Sequence, residues 1–271
     1  MKKIEFKNGK KIPQLGFGTW QLTGETCQKS VEKALEIGYR HIDTAEMYEN
    51  QKEIAKAVKN SGLKREDLFI TSKVWFENLE KSSLIDALKK TLEDLQTDYL
   101  DLYLIHWPNR KADMKESLLL MEAMKDKNFI KSVGVSNFTV NHLKDVMVED
   151  VEIVNNQVEF HPSLNQKELK EFCDQKDIVI TAYSPIAQGR DLEIELIKEL
   201  AQKYEKTPGQ ITLAWLLNKN MVAIPRSSNE KHIKENFLAK DIKLEQEDIY
   251  KIDNLDIKKR LIEPGFADFD Y

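Results

Sequence analysis

The chain has 271 residues, with 41 Lys and Arg against 46 Asp and Glu and a net charge of −5. That balance, with no mostly basic segment, argues against a nucleic-acid partner. Its longest apolar runs are strand-length, which argues against a membrane span. The basic start "MKKIEFKNGKK" lacks the apolar stretch of a signal peptide.

In chain order, "KIEFKNGKKIP" reads as a hairpin turning at Asn8-Gly9. "LGFG" is a short first strand, and "GETCQKSVEKALEIG" a helix with Cys27, Val31, Ala34 and Leu35 on one face and Gly38 as its stop. "YRHID" is strand two; "NQKEIAKAVKNSG" follows as a helix with Asn50 and Glu53 spaced like a capping box. "DLFITSKV" is strand three, followed by a helix whose stripe is Leu84, Leu88, Leu92 and Leu95. "YLDLYLIH" is strand four, with a helix over 114–127; "IKSVGVS" is strand five, with a helix from Thr139. "VEIVNNQV" is strand six, with a helix over 166–175, and "DIVITAYS" is strand seven, before "LEIELIKELAQKY". "TPGQITLAWLLNKN" is a further helix, capped by Thr207 with Pro208 in its first turn and Gln210 completing a box. "MVAIPRS" is strand eight, and a last helix starts near Asn229.

Eight strand–helix units imply a parallel sheet, because parallel strands need crossovers. In a chain of this length they fit a closed (β/α)8 TIM barrel, one domain over residues 1–271 behind an N-terminal hairpin. A doubly wound open sheet is the alternative. Against it, Gly16 and Gly18 lack the third glycine of a dinucleotide-binding turn. Two cysteines without metal or CxxC spacing suit a reduced cytoplasm, and no metal site is expected.

In such barrels the active site forms at the C-terminal strand ends. There stand Gly18-Thr19-Trp20, Asp43 with Tyr48 behind it, Lys73 with Trp75, His106-Trp107, Ser136-Asn137, Gln157, Tyr183-Ser184-Pro185 and Arg226-Ser227-Ser228. An ammonium beside a phenol favours the phenolate, so Lys73 is expected to lower the Tyr48 pKa, with Asp43 holding Lys73 charged. His106 would bond a substrate oxygen. Together the four suit general-acid protonation of a carbonyl oxygen. Each has a plainer reading: Tyr48 as a loop residue, Asp43 and Lys73 as a structural pair, His106 as a packed rim residue. Convergence on three adjacent strands favours chemistry. Arg226, two serines and Asn229 at a helix start suit an anion, or an ordinary N-cap with a surface Arg. Trp20, Trp75 and Trp107 could wall an apolar pocket, Tyr183 could stack a ring and Gln157 could pair an amide; simple packing is the alternative for each.

The motifs "LGFGTW", "GYRHIDTAEMYEN", "ITSKVW", "DLYLIHWP", "GVSNF", "NNQVEFHP", "AYSPIAQGR", "KTPGQITLAW" and "IPRSS", with "KEN" beyond, resemble the aldo-keto reductases over nearly the whole chain and in that family's order. The short loop after strand seven and the short tail look like small bacterial members of the 2,5-diketo-gluconate and glyoxal reductase type. The resemblance implies a monomeric oxidoreductase that reduces aldehydes and ketones with NADPH, NADH serving less well. Tyr48 would be the proton donor, Asp43 and Lys73 its tuning pair, and His106 the group orienting the carbonyl. It also implies nicotinamide on Tyr183, its carboxamide near Ser136, Asn137 and Gln157, and pyrophosphate by Ser184, Pro185, Ile186 and Gln188. Gly18, Thr19, Trp20 and Asp43 would complete the cofactor side, with Arg226, Ser227, Ser228 and His232 toward the phosphates and Glu235 and Asn236 toward the adenine. The substrate would meet Trp20, Tyr48, Trp75, His106 and Trp107. Arg226 and His232 stand where the family often has Lys and Arg, so one fixed positive charge is missing. The short tail suggests an open pocket. Two other functions compete: a Schiff-base aldolase using Lys73, and a nicotinamide-binding sensor or subunit without turnover.

Overall fold

A computed structural model describes residues 1–271. Strands β1 (Lys3–Glu5) and β2 (Lys11–Pro13) form the antiparallel hairpin. Its turn rests on Gly9 at φ 77° and on the Asn8 side chain, which accepts from the Lys10 amide at 3.0 Å. The left-handed conformation at Gly9 is one that glycine adopts without a Cβ penalty.

Eight parallel strands follow: β3 (Phe17–Gly18), β4 (His41–Asp43), β5 (Phe69–Val74), β6 (Leu102–Ile105), β7 (Val133–Ser136), β8 (Ile153–Glu159), β9 (Val179–Tyr183) and β10 (Val222–Ala223). Each pairs with the next in chain order. The circle closes where Leu15 bridges Ala223, where Gly16 N donates to Ala223 O at 2.9 Å, and where Gly18 N donates to Pro225 O at 3.1 Å. A Cβ on Gly18 would sit 2.7 Å from the Ile224 carbonyl oxygen, so the seam needs glycine there.

The helices are α1 (Gly24–Ile37), α2 (Gln51–Ser61), α3 (Lys81–Leu95), α4 (Met114–Asp126), α5 (Val140–Val146), α6 (Lys167–Gln175), α7 (Glu195–Lys203), α8 (Pro208–Asn218), α9 (Glu230–Leu238) and α10 (Gln246–Asp253). None is long and apolar enough to cross a membrane. Alternation along the strands divides the core. Ile42, Ile70, Tyr103, Ile105, Val133 and Val135 pack outward under the helices. Phe69, Leu102, Leu104, Val222 and Ile224 instead form a second apolar cluster with Ile4, Phe6 and Ile12. The hairpin therefore plugs the N-terminal end of the barrel, leaving chemistry to the other rim.

The predicted elements appear in order, with differences that have physical causes. The seam strands β3 and β10 are two residues each, shorter than "LGFG" and "MVAIPRS" suggested. The helix α10 was not anticipated; its one-sided apolar face is carried by only Ile249 and Ile252. The capping box at Thr207 and Gln210 is present. The one expected at Asn50 and Glu53 is not. The Asn50 side chain is instead drawn inward, accepting from Thr44 Oγ1 at 2.8 Å and donating to the carbonyls of Thr19 and Leu22, each at 2.9 Å. It thus stitches the loop after β3 to the loop after β4, satisfying buried carbonyls that would otherwise be orphaned.

Candidate active site

Asp43 ends β4 and pairs in register with Thr71, so Lys73 lies two residues further along β5 on the same face. Lys73 Nζ meets Asp43 Oδ1 at 2.6 Å, both side chains being at most 2% exposed. Lys73 also donates to the Thr44 carbonyl at 2.8 Å and reaches the Tyr48 hydroxyl at 3.5 Å. Tyr48 sits in a single 3-10 turn, Glu46–Tyr48, held over the rim. Glu46 anchors that turn by accepting from the Trp75 amide and from Asn78 Nδ2. The second Asp43 oxygen accepts from Gln157 Nε2 at 2.6 Å, and the Asp43 carbonyl accepts from Thr19 Oγ1 at 2.8 Å. Every strong acceptor on Asp43 is therefore matched, as a buried carboxylate requires.

His106 follows β6 directly. Its ring packs edge-on to Tyr48, with centroids 5.7 Å apart, and to Trp75 at 5.3 Å. Its Nδ1 is buried and has no protein partner. Trp75 and Trp107 continue the wall, and the tail folds back onto them. Phe266 packs 5.6 Å from Trp75 and 5.4 Å from Trp107, and Phe269 5.8 Å from Trp107. The short tail thus still supplies an aromatic wall at the mouth.

Electrostatics correct one expectation. Burial raises the Tyr48 pKa, and the Asp43 carboxylate pushes it the same way. The Lys73 ammonium was expected to lower it. However, burial dominates, and Lys73 is in contact with Asp43, whose opposite charge offsets part of its field at the phenol. Tyr48 consequently holds its proton in the resting site. Burial drives the His106 pKa well below its ordinary value and Lys73 pushes further, so that imidazole is neutral. Burial also moves the coupled pair toward neutrality, raising Asp43 and lowering Lys73, while their contact opposes it.

A second network runs round the rim. Tyr183 Oη donates to Asn137 Oδ1 at 2.8 Å, and Asn137 Nδ2 donates to the His106 carbonyl at 3.0 Å and to Ser136 Oγ at 3.1 Å. Ser136 Oγ donates to the Gln157 carbonyl at 2.8 Å. These bonds bring Ser136, Asn137, Gln157 and Tyr183 together and leave the Tyr183 ring half-buried. Beyond it the chain turns sharply, with positive φ at Ser184 (45°), Ala187 (49°) and Gln188 (53°), on either side of Pro185 and Ile186.

At the end of β10 the Arg226 side chain is exposed. It is braced by the Trp20 carbonyl at 3.1 Å and by Gln21 Oε1 at 2.9 Å. Ser227 Oγ accepts from Asn229 N at 3.0 Å, and the Asn229 side chain caps α9 through the Lys231 amide at 2.9 Å. Ser228 and His232 are exposed, while Asn236 is buried and Glu235 half-buried on α9. The structure places these residues on the β10–α9 segment, apart from the Asp43–Tyr48–Lys73–His106 group. Sequence reasoning missed Thr44, Glu46, Phe266 and Phe269. The aromatic tail "GFADFDY" was the available signal for the last two.

A family model described as the aldo/keto reductase family matches residues 14–257. The chain belongs to the aldo/keto reductase family. Among its relatives, the glyoxal reductase of Bacillus subtilis is 42% identical over 95% of this reductase and 94% of the relative. The methylglyoxal reductase DkgA of Escherichia coli is 40% identical over 95% and 94%. The solved aldose reductase of Schistosoma japonicum superposes with a TM-score of 0.92, at 32% identity, covering 97% of this chain and 94% of that one. An aldo/keto reductase from Brucella melitensis gives 0.90 at 38% identity, over 94% and 99%. The reductase is thus a carbonyl-reducing oxidoreductase on a TIM barrel, and neither the aldolase nor the non-catalytic reading is favoured.

Proposed function

We propose that the chain reduces small aldehydes and ketones with NADPH, and that Tyr48 gives the proton to the carbonyl oxygen. The observation supporting this most directly is the juxtaposition of a proton-bearing Tyr48, the buried Lys73–Asp43 pair and a neutral His106 at one aromatic-walled mouth. The nicotinamide cofactor, when bound, supplies a hydride to the carbonyl carbon. The residues present suit such a group: a half-buried Tyr183 ring, and a buried His106 Nδ1 with no protein partner. Tyr183, Ser136, Asn137, Gln157 and the Ser184–Gln188 turn would hold the nicotinamide end. Arg226, Ser227 and Ser228 at the start of α9 would hold phosphate, since guanidinium and helix N-termini favour anions. Arg226 is the reason to favour NADPH over NADH.

His106, being neutral, can hydrogen-bond the carbonyl oxygen without competing for the proton. Tyr48 passes its proton to that oxygen as negative charge builds there, and Lys73 stabilises the phenolate left behind at Oη. Asp43 keeps Lys73 in place. Trp20, Trp75 and Trp107, with Phe266, exclude water and favour small carbonyl compounds. Glyoxal and methylglyoxal, the compounds named in its relatives, are the first to try. The barrel acts as one cytoplasmic, monomeric unit in this reading.

The test is consumption of NADPH by purified protein with methylglyoxal, followed by nicotinamide absorbance, beside the same assay with NADH. Tyr48→Phe is expected to lose at least roughly a hundredfold in kcat, the usual worth of a positioned general acid. An unimpaired Tyr48→Phe enzyme would refute the assignment.

A further inference from the structure

A second cluster of titratable groups lies outside the mouth and takes no part in the proton transfer. Glu159 ends β8, fully buried. Its Oε1 accepts from Leu261 N at 2.8 Å and its Oε2 from Ile262 N at 2.9 Å. Oε1 also meets His161 Nε2 at 2.8 Å. The other side of the buried imidazole meets Asp191 Oδ2 at 3.1 Å and Ser163 Oγ at 3.0 Å. Asp191 in turn accepts from the Ser163 amide at 2.9 Å and from Ser163 Oγ at 2.6 Å.

The two carboxylates connect to different segments that border the mouth. Glu159 pins the start of the tail, and Lys259 N adds a bond to the Ser163 carbonyl at 2.8 Å. A few residues later that tail lays Phe266 on Trp75 and Trp107. Asp191 belongs to the turn Ala187–Glu193, which continues the Tyr183–Gln188 stretch. Both ring nitrogens of His161 face carboxylates, so the side chain has no lone pair left for a metal.

We propose that His161 is a positioning residue that ties the tail, through Glu159, to the turn after β9, through Asp191, and so holds the substrate wall in register with the cofactor ledge. The assignment of wall and ledge rests on the function proposed above. The tie is strong because it is ionic and dry. Burial alone would lower the His161 pKa, but its bonds to Asp191 and Glu159 outweigh that and raise it. Those of His161 and Ser163 to Asp191 likewise overcome burial and lower the Asp191 pKa. Charge-assisted hydrogen bonds of this kind are roughly twice as strong as neutral ones.

Three variants separate the arms: Glu159→Gln, Asp191→Asn and His161→Gln. Steady-state kinetics with an aromatic aldehyde, fluorescence titration with NADPH, and hydrogen exchange of peptides spanning 259–271 and 184–194 read them out. Glu159→Gln should raise the aldehyde KM about tenfold, the worth of roughly 1.5 kcal/mol from a charged hydrogen bond, with NADPH affinity unchanged and only the tail exchanging faster. Asp191→Asn should weaken NADPH to a similar degree, leave the aldehyde KM unchanged and loosen only the turn. His161→Gln should do both. Unaltered KM and NADPH affinity with lowered melting temperatures in all three would reduce the cluster to a structural role and overturn the proposal. So would a His161→Gln variant that loosens one segment alone. If these variants fail to fold, Ser163→Ala removes only the hydroxyl contacts on the Asp191 side of the imidazole and leaves the Glu159 arm intact; it should weaken NADPH severalfold and spare the aldehyde KM, and the reverse pattern overturns the idea. The exchange measurements need no cofactor. Faster exchange in both segments of His161→Gln, in a protein that binds no NADPH, would therefore sink the functional reading while upholding the tie.

Discussion

Replacing Lys73 with Met separates what the buried ion pair does for folding from what it does for chemistry. The substitution conserves most of the side-chain volume, so the main effect is electrostatic. It leaves Asp43, 2% exposed, with the Gln157 amide at 2.6 Å as its only remaining side-chain donor. Removing one partner of a buried pair costs about 3–5 kcal/mol, because the survivor is an uncompensated charge. At roughly 2–4 °C per kcal/mol for a chain near this size, the melting temperature should fall by about 6–20 °C. Adding Asp43→Asn to Lys73→Met removes the stranded charge while keeping an acceptor for Gln157, so most of that loss should return. Turnover should not, since no cation then lies near the Tyr48 hydroxyl. Scanning calorimetry and the NADPH assay on the wild type, both single variants and the double variant complete the cycle. A double variant no more stable than Lys73→Met would refute the electrostatic account of stability. One that recovers turnover would refute the role of the ammonium.

Arg226→Ala should weaken NADPH roughly three- to tenfold while barely changing NADH, the modest size reflecting an exposed guanidinium; equal effects on both cofactors would remove the argument for phosphate recognition. Gly18→Ala should cost about 1–3 kcal/mol by overpacking against the Ile224 carbonyl oxygen at the seam, readable as a lowered urea midpoint. The pH dependence of stability carries two opposite signatures. His161 has a folded pKa above its ordinary value of 6.5, so its contribution is complete below about pH 6.5 and fades as pH rises through the folded pKa. The stability difference between wild type and His161→Gln should therefore shrink on raising pH in urea titrations, and a difference that grows would contradict the assignment. His41, lowered by burial to about 3, contributes stability that is complete above pH 6.5 and lost as pH falls toward 3; protection of wild-type stability across that acid range would contradict its buried neutral state.

The barrel was legible because its period is coarse: eight apolar runs separated by amphipathic stretches leave few topologies, and rim residues follow from strand ends. Asp43, Lys73 and His106 could be placed together because parallel register puts strand ends side by side. Less legible was anything decided by a competing partner. Asn50 has the spacing of a cap, yet buried carbonyls of Thr19 and Leu22 claim its amide. Lys73 has the charge to acidify Tyr48, yet burial of the phenol and the Asp43 carboxylate 2.6 Å from the ammonium outweigh it in the resting site. Phe266 reaches Trp75 across nearly two hundred residues of sequence, a contact that no local pattern encodes.

The hairpin plug has a consequence for how the chain comes to be folded. Ile4, Phe6 and Ile12 complete their apolar cluster only when Val222 and Ile224 join Phe69, Leu102 and Leu104, and Gln14 bonds the Leu217 carbonyl. During synthesis the hairpin's apolar face must therefore wait for its full cover until the last strand has emerged. Such long-range closure slows folding and leaves early segments open to misassociation. The lysines at 2, 3, 7, 10 and 11 that surround them keep that waiting segment charged and dispersed.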